Sequence, residues 1–224
     1  MRENLSDWSK YWEKDLVKGT PLVKDFKKKE LEFFKENIPK GASVFEAGCG
    51  EGRVLKSLSE KASFLAGIDI NNSLVEKARE KFKGNKHVEF FCENMLKTHF
   101  ADSIFDYGIL SMNTLGNLGK NKVAALVELK RILKNNGKIF IVVYSEKALE
   151  ERIRHYTDLY KFEMLDKEKG KVKLFCSFDG INPITTEQFS KKDLEDLFTK
   201  AGFAEFKIEP LNEITYICTV AVKK

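Results

Sequence analysis

The sequence predicts an α/β fold: a doubly wound, seven-stranded, mostly parallel sheet with helices on both faces and an antiparallel last strand. Two observations predict it. Through the middle of the chain, short apolar runs alternate with amphipathic stretches at the spacing of strand–helix–strand units. Near the end, "AEFKIEP" and "EITYICTVAVK" are joined by too few residues to hold a crossover helix, so these two strands must pair antiparallel.

The elements follow in order. Residues 1 to 40 carry two amphipathic helical segments, with Trp8, Tyr11, Trp12, Phe26, Phe33 and Phe34 among their apolar positions. "SVFEA" reads as the first strand and "EGRVLKSLSEKA" as a helix; "FLAGIDI" and "SLVEKAREKFKG" repeat the unit, and "HVEFFCE" is the third strand. "FDYGILS" is the fourth, followed by a helix over "NKVAALVELKRILKNNG", with Gly137 as its left-handed stop, and by the strand "KIFIVVY". Residues 145 to 189 break the rhythm: a helix, "SEKALEERIRHYTDLYKF", leads into a hairpin turning at Lys169-Gly170. "SKKDLEDLFTKAGF" is then a helix with Ser190 as N-cap and Gly202 as stop. The expected organisation is one domain over residues 1–224, with an N-terminal helical cap (1–40) and an inserted substrate lid (145–189).

Composition narrows the function classes. The chain is 42% hydrophobic and 33% charged, its longest apolar run is far too short to span a bilayer, and its first residues lack the apolar core of a signal peptide. A cytoplasmic protein is expected. The four cysteines form no C-x-x-C pair and the three histidines are scattered, which excludes a zinc pattern and favours reduced thiols. Net charge is +5, and the densest basic run, "KDFKKKE", is broken by Asp25, Phe26 and Glu30. A solvated helix face explains that run better than a nucleic-acid footprint.

The chemistry is concentrated in "SVFEAGCGEGRVL", with three glycines in five residues between a strand and a helix. A glycine turn opening a helix N-terminus in this kind of sheet is a ligand-facing site. Glu46 stands at the lip of the first strand, Asp69 closes the second, where an acid can accept two hydrogen bonds from a ribose diol, and Asn94 follows the third. All lie at strand C-terminal ends, where open α/β sheets bind ligands.

With these residues the chain resembles the class I S-adenosylmethionine-dependent methyltransferases. That family's first motif, an acid followed by G-x-G-x-G after an apolar strand, is matched by Glu46-Ala47-Gly48-Cys49-Gly50-Glu51-Gly52. Asp69 matches the acid at the second strand end, and Glu93-Asn94-Met95 falls on the third-strand motif, with Asn replacing the usual Asp. The resemblance implies S-adenosylmethionine as cofactor and S-adenosylhomocysteine as product. It implies contacts from Glu46, Ala47, Gly48, Cys49, Gly50, Gly52, Arg53, Asp69, Ile70, Asn94, Met95 and Ser111, with Tyr11 and Trp12 folding over as an N-terminal cover. NAD is the alternative cofactor; the glycine spacing and the antiparallel last strand count against it.

Methyl transfer is an in-line displacement that needs alignment and exclusion of water more than a dedicated base. No catalytic residue is therefore assigned, though His155, with a pKa able to lie near neutrality, and Tyr144 are candidates. The loop "SMNTLGNLGK" should flank the methyl, where Asn113, Thr114 and Asn117 can hydrogen-bond a polar acceptor, with Tyr144 and Tyr156 as further acceptor-site residues. The expected activity is methyl transfer to N or O of a small molecule, with no membrane or nucleic-acid partner. A protein or RNA methyltransferase, and a cofactor-binding module without catalysis, are the alternatives.

Overall fold

The computed structural model describes the backbone of residues 19–159, 163–166, 173–175 and 184–223, and side chains within residues 19–155 and 186–223. Helix α1 (Pro21–Asn37) precedes strand β1 (Ser43–Ala47), and α2 (Arg53–Leu58), β2 (Phe64–Asp69), α3 (Asn72–Lys81) and β3 (Val88–Cys92) follow. Then come β4 (Phe105–Leu110), α4 (Lys122–Ile132), β5 (Leu133–Tyr144) and α5 (Leu149–Leu159). Strands β6 (Glu163–Asp166), β7 (Lys173–Phe175) and β8 (Ile184–Thr185) lead to α6 (Lys191–Lys200), β9 (Phe206–Asn212) and β10 (Thr215–Ala221).

The main sheet has the order β3-β2-β1-β4-β5-β10-β9. Strands β1 to β5 pair in parallel, and β10 runs antiparallel to both β5 and β9, as the short connection requires. Side chains alternate across the sheet and divide the core. Val44, Leu65, Phe140 and Val142 pack under α1, α2 and α3 with Phe26, Phe34, Leu55 and Val75. Phe45, Ala66, Ile139 and Ile141 pack under α4 and α6 with Leu126, Leu129 and Phe198. Because β1 to β4 are parallel, their last residues, Ala47, Asp69, Cys92 and Leu110, line one rim of the sheet.

Local signals mark both ends of α6. Ser190 caps α6 in a reciprocal box with Asp193, and Gly202 follows that helix at φ +80°. Two expectations are corrected. The stop after α4 is not Gly137: the helix ends at Ile132, Asn136 takes the left-handed conformation, and "LKNNG" belongs to β5. Gly137 is needed for space, since a Cβ there would lie 2.9 Å from the carbonyl oxygens of Asp106 and Lys134. The "KDFKKKE" run is not a wholly solvated face either. Lys28 and Lys29 are exposed, but Phe26, Lys27 and Glu30 are buried because this side of α1 covers the sheet.

Between β5 and α6 the chain builds α5 and a separate antiparallel sheet, β6-β7-β8. The β6–β7 pair agrees with the expected hairpin, whose turn at Lys169-Gly170 lies outside the described residues, as do Tyr11 and Trp12. Among the described residues no helix is long and apolar enough to cross a membrane.

Candidate cofactor and acceptor site

The glycine turn is held against the end of β2. Gly48 and Cys49 donate their backbone N–H groups to the carbonyl of Ile68, and Gly50 donates to Asp69 Oδ2 at 2.9 Å. The other oxygen, Asp69 Oδ1, accepts from the N–H of Asn71 at 2.9 Å. Asp69 therefore fixes the turn on one side and the entrance to α3 on the other, and each oxygen keeps a lone pair for a further donor. Burial raises the Asp69 pKa, and the Asn71 and Gly50 N–H groups pull it back.

The three glycines have different physical reasons. A Cβ on Gly48 would stand 2.8 Å from Thr114 Cγ2, and one on Gly52 would stand 2.9 Å from the rings of Phe82 and Phe90. Those two positions are small because the protein itself closes on them. Gly50, at φ +52°, has nothing within 4 Å of a Cβ among the described residues: the turn presents an open, side-chain-free face there. Of the three, only Gly50 owes its small size to no packing neighbour among the described residues.

Glu46, on β1, is 1% exposed. Its Oε1 accepts from the hydroxyl of Ser111 at 2.8 Å, and its Oε2 is buried with no hydrogen-bond partner among the described residues. Burial pushes its pKa up to about 8; Ser111 and the charge of Arg53 lower it, while the charges of Glu30 and Asp69 raise it. A buried carboxylate oxygen without a donor is costly unless a ligand supplies one. Burial also pushes the neighbouring Cys49 thiol well up. Ser111 thus serves Glu46 rather than the ligand space directly. Arg53, the first residue of α2, pairs through Nη2 with Glu30 Oε1 from α1, and its Nη1 is buried without a partner among the described residues.

Further along the rim, Ile70 is 53% exposed beside Asp69, an apolar side chain left in the open. Asn94 is exposed and its Oδ1 accepts from the N–H of Leu96 at 3.0 Å, closing a local turn. Met95 is half-buried against the core, and Ala47 is fully buried.

The loop after β4 is strained. Met112 and Asn113 both adopt left-handed backbone, at φ +48° and +62°. The Met112 N–H donates to Glu30 Oε2 at 3.2 Å. Asn113 is 2% exposed; its Nδ2 donates to Thr186 Oγ1 and to the carbonyl of Glu187, each at 3.0 Å, and its Oδ1 accepts from the N–H of Tyr144 at 3.1 Å. The expectation that Asn113 faces an acceptor is corrected: its amide is buried and ties the loop to the segment before α6. Thr114 is half-buried, donating to the carbonyl of Ser111 at 2.7 Å, and Asn117 is exposed.

Tyr144 is corrected in the same sense, and His155 takes the packing role that the sequence favours over a general base. Tyr144 is buried, edge-on to Phe26 and 4.7 Å beneath the Arg152 guanidinium. His155 is buried with its Cε1 3.6 Å from where a Gly19 Cβ would stand, so it packs α5 against the residues leading into α1. The side chain of Tyr156 lies outside the described residues.

Comparisons with known proteins bear on this geometry. Residues 45–141, the stretch holding the turn, Asp69 and the loop after β4, match the family model described as a methyltransferase domain. Over that stretch, less than half of its length, the chain is similar to the methyltransferase domain family. The chain is similar, at 24% identity over 177 residues, to the demethylmenaquinone methyltransferase of Bacillus licheniformis, covering 78% of this chain and 75% of that one. Solved structures share its fold. An S-adenosylmethionine-dependent methyltransferase from Aquifex aeolicus matches with TM-score 0.67 and 18% identity, covering 96% of this chain and 98% of that one. The 1,6-didemethyltoxoflavin-N1-methyltransferase of Burkholderia thailandensis, solved with its substrate and S-adenosylhomocysteine, matches with TM-score 0.60 and 13% identity, covering 87% and 76%.

The residues present fit the cofactor. It carries an ammonium, a ribose diol and an adenine. The chain offers a buried carboxylate oxygen at Glu46 with no donor among the described residues, an oriented carboxylate at Asp69, a side-chain-free turn at Gly50 and an exposed apolar flank at Ile70. Glu30 and the structural roles of Asn113 and Ser111 were not foreseen. Their partners are distant in sequence, and no local motif marks them.

Proposed function

We propose that this chain is an S-adenosylmethionine-dependent methyltransferase that acts on N or O of a small polar molecule. The observation that carries this reading is the covering of the strand ends beside β4 and β5 by the chain itself. The segment Thr186–Phe189 is buried: Glu187 donates its N–H to Gly116, Phe189 donates to Tyr144, and Lys122 pairs with the Glu187 carboxylate at 2.9 Å. A roofed site suits a compact acceptor better than a nucleic-acid strand or a folded protein. The names of the demethylmenaquinone and toxoflavin relatives support a small-molecule acceptor, and the N1-methyltransferase name supports nitrogen.

In this reading Glu46 receives the ammonium of the cofactor's methionyl end, Gly50 lets that end pass close to the backbone, and Asp69 accepts the ribose hydroxyls. Ile70 and Met95 flank the adenine, with Asn94 at its edge. When bound, the cofactor supplies a sulfonium-borne methyl already activated for in-line displacement. The protein aligns an acceptor against it and keeps water out, which is the part given to residues 145–189 and to the loop that Asn113 anchors. Residues 1–224 act as one domain, with 145–189 as the acceptor cover. The test is transfer of labelled methyl to pools of amines, amino acids, phenols and quinones, with tRNA and a protein lysate alongside. Label in a small-molecule pool is expected; label in RNA or protein alone would refute the reading.

A further inference from the structure

Glu30 is a fully buried acid on a helix that the family motifs do not include. One oxygen pairs with Arg53 at the head of α2, and the other accepts the N–H of Met112 in the strained loop after β4. One nitrogen of Arg53 is thereby held by Glu30, and Glu46 Oε2 is buried with no donor among the described residues. We propose that Glu30 is a positioning residue for cofactor binding: by holding Arg53, it leaves Glu46 as a neutral acid until the cofactor's ammonium arrives, so that binding releases a proton.

The inference rests on the assignment of Glu46 to the ammonium. The charged and titratable groups around Glu46 come from every element packed there. They are Glu30 on α1, Arg53 on α2, Asp69 on β2, Cys49 in the turn and the Ser111 hydroxyl after β4, with Lys27 on α1 acting in turn on Glu30. Glu30 and Arg53 act oppositely on Glu46: the charge of Arg53 lowers its pKa and that of Glu30 raises it, while burial raises the pKa of Glu30 itself and its pairing with Arg53 pulls it back. Burial then dominates and keeps the proton on Glu46 at neutral pH. An arriving ammonium supplies the missing donor and reverses the balance.

The experiment is calorimetric titration of the full chain with S-adenosylhomocysteine. It is run at pH 7 in two buffers of different ionisation enthalpy, and as affinity against pH from 6 to 7.5. With Glu46 titrating near pH 8, about 0.9 proton should be released per site at pH 7, and affinity should rise by up to tenfold per pH unit. Glu30→Gln keeps an acceptor for Met112 but leaves Arg53 free to favour ionised Glu46. Its profile should move to lower pH by about one unit, with fewer protons released. The double variant Glu30→Gln/Arg53→Met removes both charges and should return the profile towards that of the wild type. A purely structural role for Glu30 would alter affinity without moving the midpoint. Proton release near zero in the wild type, an unmoved midpoint in Glu30→Gln, or a double variant that stays shifted would each overturn the proposal. Glu46→Gln at pH 8.5 separates the two levels. Weakened binding there upholds the Glu46 assignment whatever Glu30 does, and unchanged binding removes the assignment itself.

Discussion

Replacing Gly50 and Gly52 by alanine, one at a time, separates space kept for a ligand from space kept for packing. At Gly50 the added methyl meets no atom within 4 Å, so the folded protein bears only the left-handed backbone penalty at φ +52°, about 1–2 kcal/mol. For a chain of this length that lowers Tm by about 2–8 °C. At Gly52 the backbone penalty is joined by a Cβ 2.9 Å from two phenylalanine rings that the core holds in place. Overpacking of this kind adds about 1–3 kcal/mol, so the loss reaches about 2–5 kcal/mol and the fall in Tm about 4–20 °C. Ligand binding should run the other way. The Gly50→Ala methyl points into the proposed path of the methionyl end, and affinity for S-adenosylhomocysteine should fall at least tenfold, about 1.4 kcal/mol. Gly52→Ala, measured well below its Tm, should bind more nearly as the wild type does. Differential scanning fluorimetry gives the first quantity and calorimetry the second. A folded Gly50→Ala protein with wild-type affinity would show that the open face of the turn is not the cofactor path.

Asp69→Ala removes the acceptor for two backbone N–H groups and for the proposed ribose diol. Its dissociation constant for S-adenosylhomocysteine should rise about ten- to a hundredfold, and an unchanged value would place the ribose elsewhere. Asn113→Gly keeps the left-handed backbone but loses the three side-chain bonds to Thr186, Glu187 and Tyr144. Limited proteolysis should then cut within residues 145–189 faster while cofactor affinity stays within about twofold, whereas unaltered cleavage would deny Asn113 its anchoring role. The Glu46 pKa is raised on folding from 4.5 to about 8, so the folded, ligand-free protein binds more protons than the unfolded chain across that window. Its stability should therefore fall as pH rises from 4.5 to 8, and Glu46→Gln should flatten the fall in Tm between pH 6 and 8; an equally steep fall in the variant would contradict the buried, donor-less carboxyl.

The rhythm of strands and helices, the antiparallel end of the sheet, the glycine turn and the acid at Asp69 were all legible in the sequence. Each is a local pattern: apolar periodicity, a connection too short for a helix, or a motif spanning seven residues. The matching of Asp69 to the turn was also accessible, because parallel strands with helical crossovers bring their C-terminal ends to one rim.

Tertiary structure decided what the polar residues on that rim do. Glu30 sits among lysines in a run that reads as a solvated face, and nothing local reveals that this turn of α1 is pressed on the sheet 82 residues away from its partner Met112. Asn113 carries the residue type of an acceptor contact, yet its amide is taken by groups 73 and 74 residues further on. Two of the three glycines answer to Thr114, Phe82 and Phe90, and only Gly50 of the three faces open space among the described residues. The physical reason is the same throughout. A motif fixes backbone shape through neighbours in the chain, whereas the hydrogen-bond partners and open space around a buried polar group are set by whichever distant elements the packing brings against it.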